Sequence, residues 1–161
     1  MTANEKGSVY DSPDGETGAL PEVAYRAIFR KVPRLTVDVV ISSELGVLLA
    51  RRIGGPCDGL WNLPGGTVRF AEQLTAAVHR VAHDEIGADV IIDDFLGYIE
   101  YPSHIRLGVD WPVGLAFHTH LAPSEGEGLS TSPDRLDWFT RLPDEMHDEQ
   151  RAFLRAHHLV D

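Results

Sequence analysis

The chain has 161 residues, enough for one ordinary domain and too few for two, and its 43% hydrophobic and 24% charged residues give the profile of a globular protein. A formal net charge of -11 repels a nucleic-acid backbone, so no nucleic-acid partner is expected, and a free nucleotide would need a local cation to screen it. No apolar run approaches the roughly 20 residues that span a bilayer, the polar residues 1–18 do not read as a signal peptide, and the single cysteine, Cys57, rules out an internal disulfide, so the expected location is the cytoplasm, away from membranes.

Residues 1–18 carry almost no apolar side chains and are expected to be a disordered tail; residues 19–161 form the domain. A short helix is expected over residues 20–30, with Pro21 in its first turn and Pro33 ending it. Residues 35–41 read as a strand with a carboxylate, Asp38, at its centre. A Ser-Ser-Glu-Leu-Gly turn leads to a second strand at 47–50, so the pair reads as a hairpin. A loop at 54–59 is followed by Leu60-Trp61-Asn62-Leu63 and then Pro64-Gly65-Gly66. A helix is expected over 71–86, closed by Gly87 as a left-handed C-cap. Strands follow at 90–92, 95–101, 113–121 and 136–139, with a loop at 124–133 and a last helix at 144–157. This interleaving predicts an α/β fold, a mixed sheet packed between helices.

On a helical wheel, Leu74, Ala77, Val78, Val81 and Ala82 form one apolar stripe, and Glu85 falls within it with Asp84 on its flank. A carboxylate on an inward face is costly unless it is paired or coordinates a cation, and the helix C-terminus adds an unfavourable dipole. A bound cation would relieve both penalties; a solvated helix end would explain Glu85 without one. Pro64-Gly65-Gly66 can bring bare backbone close to a ligand, and a glycine carbonyl is an oxygen donor of the kind Mg²⁺ accepts.

Gly66, Glu72, Arg80, Glu85 and Gly87, with Asp84 in place of a Glu, resemble the Nudix box: Gly, five residues, Glu, seven residues, Arg-Glu, an aliphatic residue, any residue, Glu-Glu, any residue, Gly. The flanking Leu-Trp-Asn-Leu-Pro-Gly-Gly and the later Leu-Asp-Trp-Phe-Thr-Arg-Leu-Pro are also Nudix-like, and the resemblance runs from about Leu20 to Leu159. It implies a Nudix α/β/α sandwich with a mixed β-sheet between helices. The Glu that follows the family's Arg is Val81 here. That departure resembles the GDP-mannose mannosyl hydrolases, which also share Pro33, the strand with Asp38 and the basic pair Arg51-Arg52.

The resemblance implies Mg²⁺, with Mn²⁺ as a substitute, held by the Gly65 carbonyl and Glu85, with Asp84 as a further or water-mediated ligand. It implies a small-molecule nucleotide substrate, a nucleotide sugar that is split into a nucleoside diphosphate and a sugar. The N-terminal helix resembles one through which that subgroup forms a homodimer. The subgroup's Gln-His pair, whose His is the general base, aligns with Ser132 and Pro133. A similar string, Leu142-Pro143-Asp144-Glu145-Met146-His147, occurs after Trp138, so His147 is either a displaced base or the start of the last helix.

Arg52 is the candidate phosphate ligand, with Arg51 and Arg69 as alternatives, because a guanidinium fork matches phosphate oxygens. Asp38 is a candidate for binding the sugar or the nucleotide base. Glu72 and Arg80 are candidates for the site or for bracing its loop. His104, His118, His120 and Glu100 are further candidate acid–base groups, and Trp111 and Tyr101 could stack on a base. Two other readings remain open: a general nucleoside-diphosphate pyrophosphohydrolase, and a degenerate nucleotide-binding Nudix module without turnover.

Overall fold

The computed structural model describes residues 20–55, 57–123, 129 and 135–160. The tail assigned to residues 1–18 lies outside them, as does all but Leu129 of the loop assigned to 124–133.

The sheet is built around β1 (Arg34–Ser43), whose residues from Thr36 to Ile41 are buried. A strand covered on both faces reads as an unbroken apolar run, which is why the sequence shows so little alternation here. β1 runs parallel to β6 (Pro112–Leu121) and antiparallel to β2 (Gly46–Arg51) and β4 (Gly65–Thr67). The strand order is β3 (Trp61–Asn62), β2, β1, β6, β5 (Val90–Glu100), and β7 (Leu136–Phe139) adds to β2. After a short first helix, α1 (Glu22–Phe29), helices α2 (Leu74–Ile86) and α4 (Asp148–Ala156) pack on opposite faces of the sheet, giving the expected α/β/α sandwich with a mixed sheet. Val37, Val39 and Ile41 pack with Ala77, Val78, Val81 and Ala82 of α2. Val40 packs on the other side with Leu49, Leu63 and Leu154 of α4. Each buried valine in these layers contributes roughly 1.5–3 kcal/mol by leaving water. Alternation along β1 therefore puts Asp38 on the α4 face.

Several expectations are corrected. α2 begins at Leu74 instead of residue 71, because Ala71 takes φ 55 in a turn that delivers Glu72 to its partners. Gly87 does close α2 in the left-handed conformation, φ 68. Strands 90–92 and 95–101 are one strand, β5, interrupted by irregularities near Asp94 and Gly97. The Asp94 carboxylate accepts from the Phe95 amide, so the polar pair marks a bulge and not a turn. α4 begins at Asp148, since residues before it form an extended bridge in which Trp61 pairs with Met146. Glu85 is exposed. The buried rows of α2 end on Ile86, in line with Val78 and Ala82, and this rotates Glu85 to the rim. A five-residue helix, α3 (Pro102–Arg106), has no counterpart among the expected elements.

Candidate active site

Where the ends of β1, β4 and β5 meet the start of α4, a cleft of about 80 Å³ is lined by Asp38, Arg52, Gly65, Tyr101, His147 and Gln150, among others. An adjoining cavity of about 490 Å³ shares Arg34, Arg52 and His104 with it. The inner cleft has room for the reacting bonds; the outer cavity is of ligand-pocket size.

Asp38 is buried at the floor of the cleft, 4% exposed, as are its partners Tyr101 and Gln150. It fits because two neighbours are glycines: a Cβ on Gly114 of β6 would overlap its Oδ2, and a Cβ on Gly65 would lie 2.9 Å from its Oδ1. The Tyr101 hydroxyl donates to Asp38 Oδ2 at 2.8 Å, Gln150 Nε2 donates to the Tyr101 oxygen at 3.0 Å, and Gln150 Oε1 accepts from the Leu63 amide at 2.9 Å. The relay ties the first residue after β3 to the middle of β1 through α4. Burial raises the Asp38 pKa to about 7, against the opposing hydrogen bond from Tyr101 and the charge of Arg34. Burial and the adjacent Asp38 push the Tyr101 hydroxyl well above its ordinary value, so it stays a donor.

Arg51 and Arg52 separate as successive strand-end residues should. Arg51 bonds the Gly59 carbonyl at 3.1 Å and lies over the Trp61 ring. Arg52 faces the cleft, and among the described residues no ion pair holds it. Its charge acts to lower the pKa of Glu85 and His147, two groups that sequence reasoning nominated separately, and of Cys57, which it did not nominate. His147, 7% exposed, occupies the N-cap position of α4 and also lines the cleft. Burial, and then the charge of His104, lower its pKa, so its imidazole is neutral at neutral pH. His104 also lines the cleft, with Nδ1 2.9 Å from Asp110.

Other candidates lie elsewhere. His118 bonds Ser42 at 2.6 Å, and His120 bonds Asp93 at 2.8 Å. Glu100 is exposed on β5, and Trp111 lines a separate depression beside Pro33.

The box residues divide between two tasks. Arg80 grips Glu72 with Nε at 2.6 Å and one terminal nitrogen at 2.8 Å, and also donates to the Thr67 carbonyl at 2.9 Å. Glu72 accepts from the Arg69 amide at 2.9 Å as well. Neither residue lines the cleft; together they brace the end of β4, the strand that carries Gly65 and Gly66, and the turn that follows it. Val81 fills the space a side chain at Gly66 would need, its Cγ2 lying 2.8 Å from that Cβ position, which fixes both identities by packing.

The model of the NUDIX domain family matches residues 32–156. The chain belongs to the Nudix hydrolase family. The low-salt glycan biosynthesis protein Agl8 of Haloferax volcanii is 46% identical over 88 residues, covering 55% of this chain and 56% of that protein, so the match spans little more than half of the relative. A MutT-like protein of Streptomyces ambofaciens is 34% identical over 128 residues, 79% of this chain and 75% of that one. Among solved structures, a MutT Nudix hydrolase from Burkholderia pseudomallei superposes with a TM-score of 0.62 at 28% identity, over 78% of this chain and 98% of that one.

Nudix hydrolases generally use divalent metal ions, and the donors of this chain fit one. Gly65, Asp84 and Glu85 offer only oxygen, the set a hard ion takes. Although exposed at the rim, Glu85 is partly desolvated by its surroundings, and this and the neighbouring Asp84 raise its pKa against the opposing charge of Arg52, a repulsion that a cation would relieve. Among the described residues, the ion pairs of Asp84 are long, 3.8 Å to Arg80 and 3.8 Å to His83. With Val81 in the apolar core, no third carboxylate joins Asp84 and Glu85 among the described residues.

Sequence reasoning missed Gln150, Thr36 and Arg34 in this Nudix cleft. Gln150 carried a readable sign: it lies one turn before Leu154 on the buried face of α4, a polar group on an apolar stripe. Arg34 and Thr36 carried none, since polar residues at a strand end normally face water.

Proposed function

We propose that this Nudix hydrolase splits a nucleotide sugar, of the GDP-mannose type, into a nucleoside diphosphate and a sugar by attack of water at the anomeric carbon. The observation that carries this reading is the convergence of Arg52, Asp38, Gly65 and a neutral, buried His147 on one cleft. The name of Agl8, a glycan biosynthesis protein, points toward the same substrate class.

Arg52 donates to diphosphate oxygens and holds the substrate with its leaving group over Gly65. Neutral His147 accepts the proton of the attacking water, as a base with a depressed pKa can at neutral pH. Asp38, whose pKa of about 7 is fixed by burial against the Tyr101–Gln150 relay, accepts a hydrogen bond from a sugar hydroxyl or a base N–H. The Glu72–Arg80 brace positions the glycine strand β4 and touches no substrate. Mg²⁺, held by Glu85, the Gly65 carbonyl and Asp84, would supply charge neutralisation of the diphosphate leaving group.

Turnover in heavy-oxygen water tests the reading, with the label expected in the sugar. Label in the phosphate would overturn it and establish pyrophosphohydrolase chemistry. Glu85→Gln is expected to weaken Mg²⁺ binding and to lower kcat by on the order of 100- to 1,000-fold, the loss typical of one removed electrostatic stabiliser. Unchanged Mg²⁺ affinity would remove Glu85 from the site.

A further inference from the structure

We propose that Cys57, His104 and His147 form a binding site for Zn²⁺ or a similar borderline transition ion, with its fourth coordination position open to the cleft. The three residues come from separate segments: the loop between β2 and β3, helix α3, and the N-cap of α4. One donor atom of each lies within 4.8 Å of the others. A thiol and two imidazoles are a sulfur-and-nitrogen set, which suits Zn²⁺ and suits Mg²⁺ poorly. Tetrahedral coordination brings such donors to about 3.5 Å apart, so a closing movement of roughly 1 Å among the three side chains completes the site.

The surroundings are those of a metal site. Asp110 accepts from Arg34 through Oδ2 and meets His104 Nδ1 through Oδ1. That arrangement puts the His104 proton on Nδ1 and leaves the Nε2 lone pair for a ligand. Glu149 Oε2 is buried without a hydrogen-bond partner, and it lies 3.8 Å from His147 Nδ1. A cation on the other nitrogen of His147 would make Nδ1 a stronger donor toward that unpartnered oxygen. His104 thus already carries the carboxylate that orients a metal-ligating histidine, and Glu149 stands close enough to His147 to take the same part once an ion binds. The Cys57 thiol, 6% exposed, is free and faces the same outer cavity as His104. On binding, Cys57 exchanges its S–H bond for an S–Zn bond and releases the proton to solvent.

The test uses the full chain stripped of metal and titrated with Co²⁺ as a spectroscopic stand-in. A thiolate-to-cobalt charge-transfer band saturating at one equivalent is expected, persisting in excess Mg²⁺ and erased by Zn²⁺. Cys57→Ser should abolish the band, and Asp110→Asn should weaken Zn²⁺ binding by about 10- to 100-fold while keeping it. Saturating Co²⁺ without that band, or a band removed by Mg²⁺, would overturn the proposal. If Cys57→Ser does not fold, alkylation of Cys57 in the unaltered chain decides: Zn²⁺ should protect the thiol, and equal labelling with and without Zn²⁺ would overturn the site. With Zn²⁺ on His147 both of its nitrogens are engaged, so the zinc-loaded state and the hydrolysing state, in which His147 is the base, are alternatives; none of these readouts depends on turnover, so failure here leaves the proposed hydrolysis standing.

Discussion

Asp38 and Glu72 are both buried carboxylates, and the fold treats them in opposite ways. Glu72 is desolvated, but two bonds from Arg80, the Arg69 amide and the nearby guanidinium charges outweigh that burial and hold its pKa below the ordinary range. Asp38 is at least as buried, yet it receives one hydroxyl, and its pKa rises to about 7. A saturated acid is a fastener that stays ionised; an under-saturated one keeps a proton near neutrality and can exchange it. The brace and the cleft are separated by that difference in partners, more than by depth.

The largest effect should fall on the cleft. His147→Gln is expected to lower kcat by about 100- to 10,000-fold, the usual weight of a general base, with little change in the denaturation midpoint. The unaltered enzyme should lose activity as pH falls through the depressed His147 pKa, below 6.5, and the variant should lack that limb. A variant that turns over normally would move His147 to the structural side of the comparison.

Arg80→Ala should do the reverse. It strands Glu72, whose side chain is fully buried, and should destabilise the fold by about 3–5 kcal/mol in urea denaturation, while the folded fraction keeps its pH profile.

The smallest and sharpest test is Asp38→Asn. Asp38 binds a proton in the folded chain between its ordinary pKa of 3.8 and about 7, where the unfolded chain has released it. Its contribution therefore lowers stability as pH rises through that window. The variant should gain on the unaltered chain from about pH 4 upward and hold a constant advantage above about pH 7. It should also lose about 10- to 100-fold in kcat/KM, from one charge-assisted hydrogen bond.

Much of this architecture is legible in the amino-acid sequence. Apolar runs and turn residues are enough to predict the α/β/α arrangement, and Gly87 closes its helix while Arg52, Gly65 and Asp38 line the cleft, as their chemistry suggests. The inward placement of Glu85 fails because both rows, 77–81 and 78–82, are buried in the middle of the helix, and a wheel cannot say which of them stays covered in the last turn; Ile86 does and Glu85 does not. Ala71 hides the late start of α2, since nothing in an alanine announces a left-handed backbone. The Tyr101–Gln150 relay and the meeting of Cys57 with two histidines join residues dozens of positions apart, and no local pattern encodes such contacts.

The socket around Asp38 also constrains how this chain could have evolved. An acid at 38 and any side chain at 114 are mutually exclusive occupants of one volume, so the two positions cannot drift independently. A lineage acquiring the acid must first have emptied position 114. One that loses the acid gains room for alanine or serine there, and Gly114→Ala should be tolerated only after Asp38 has been shortened.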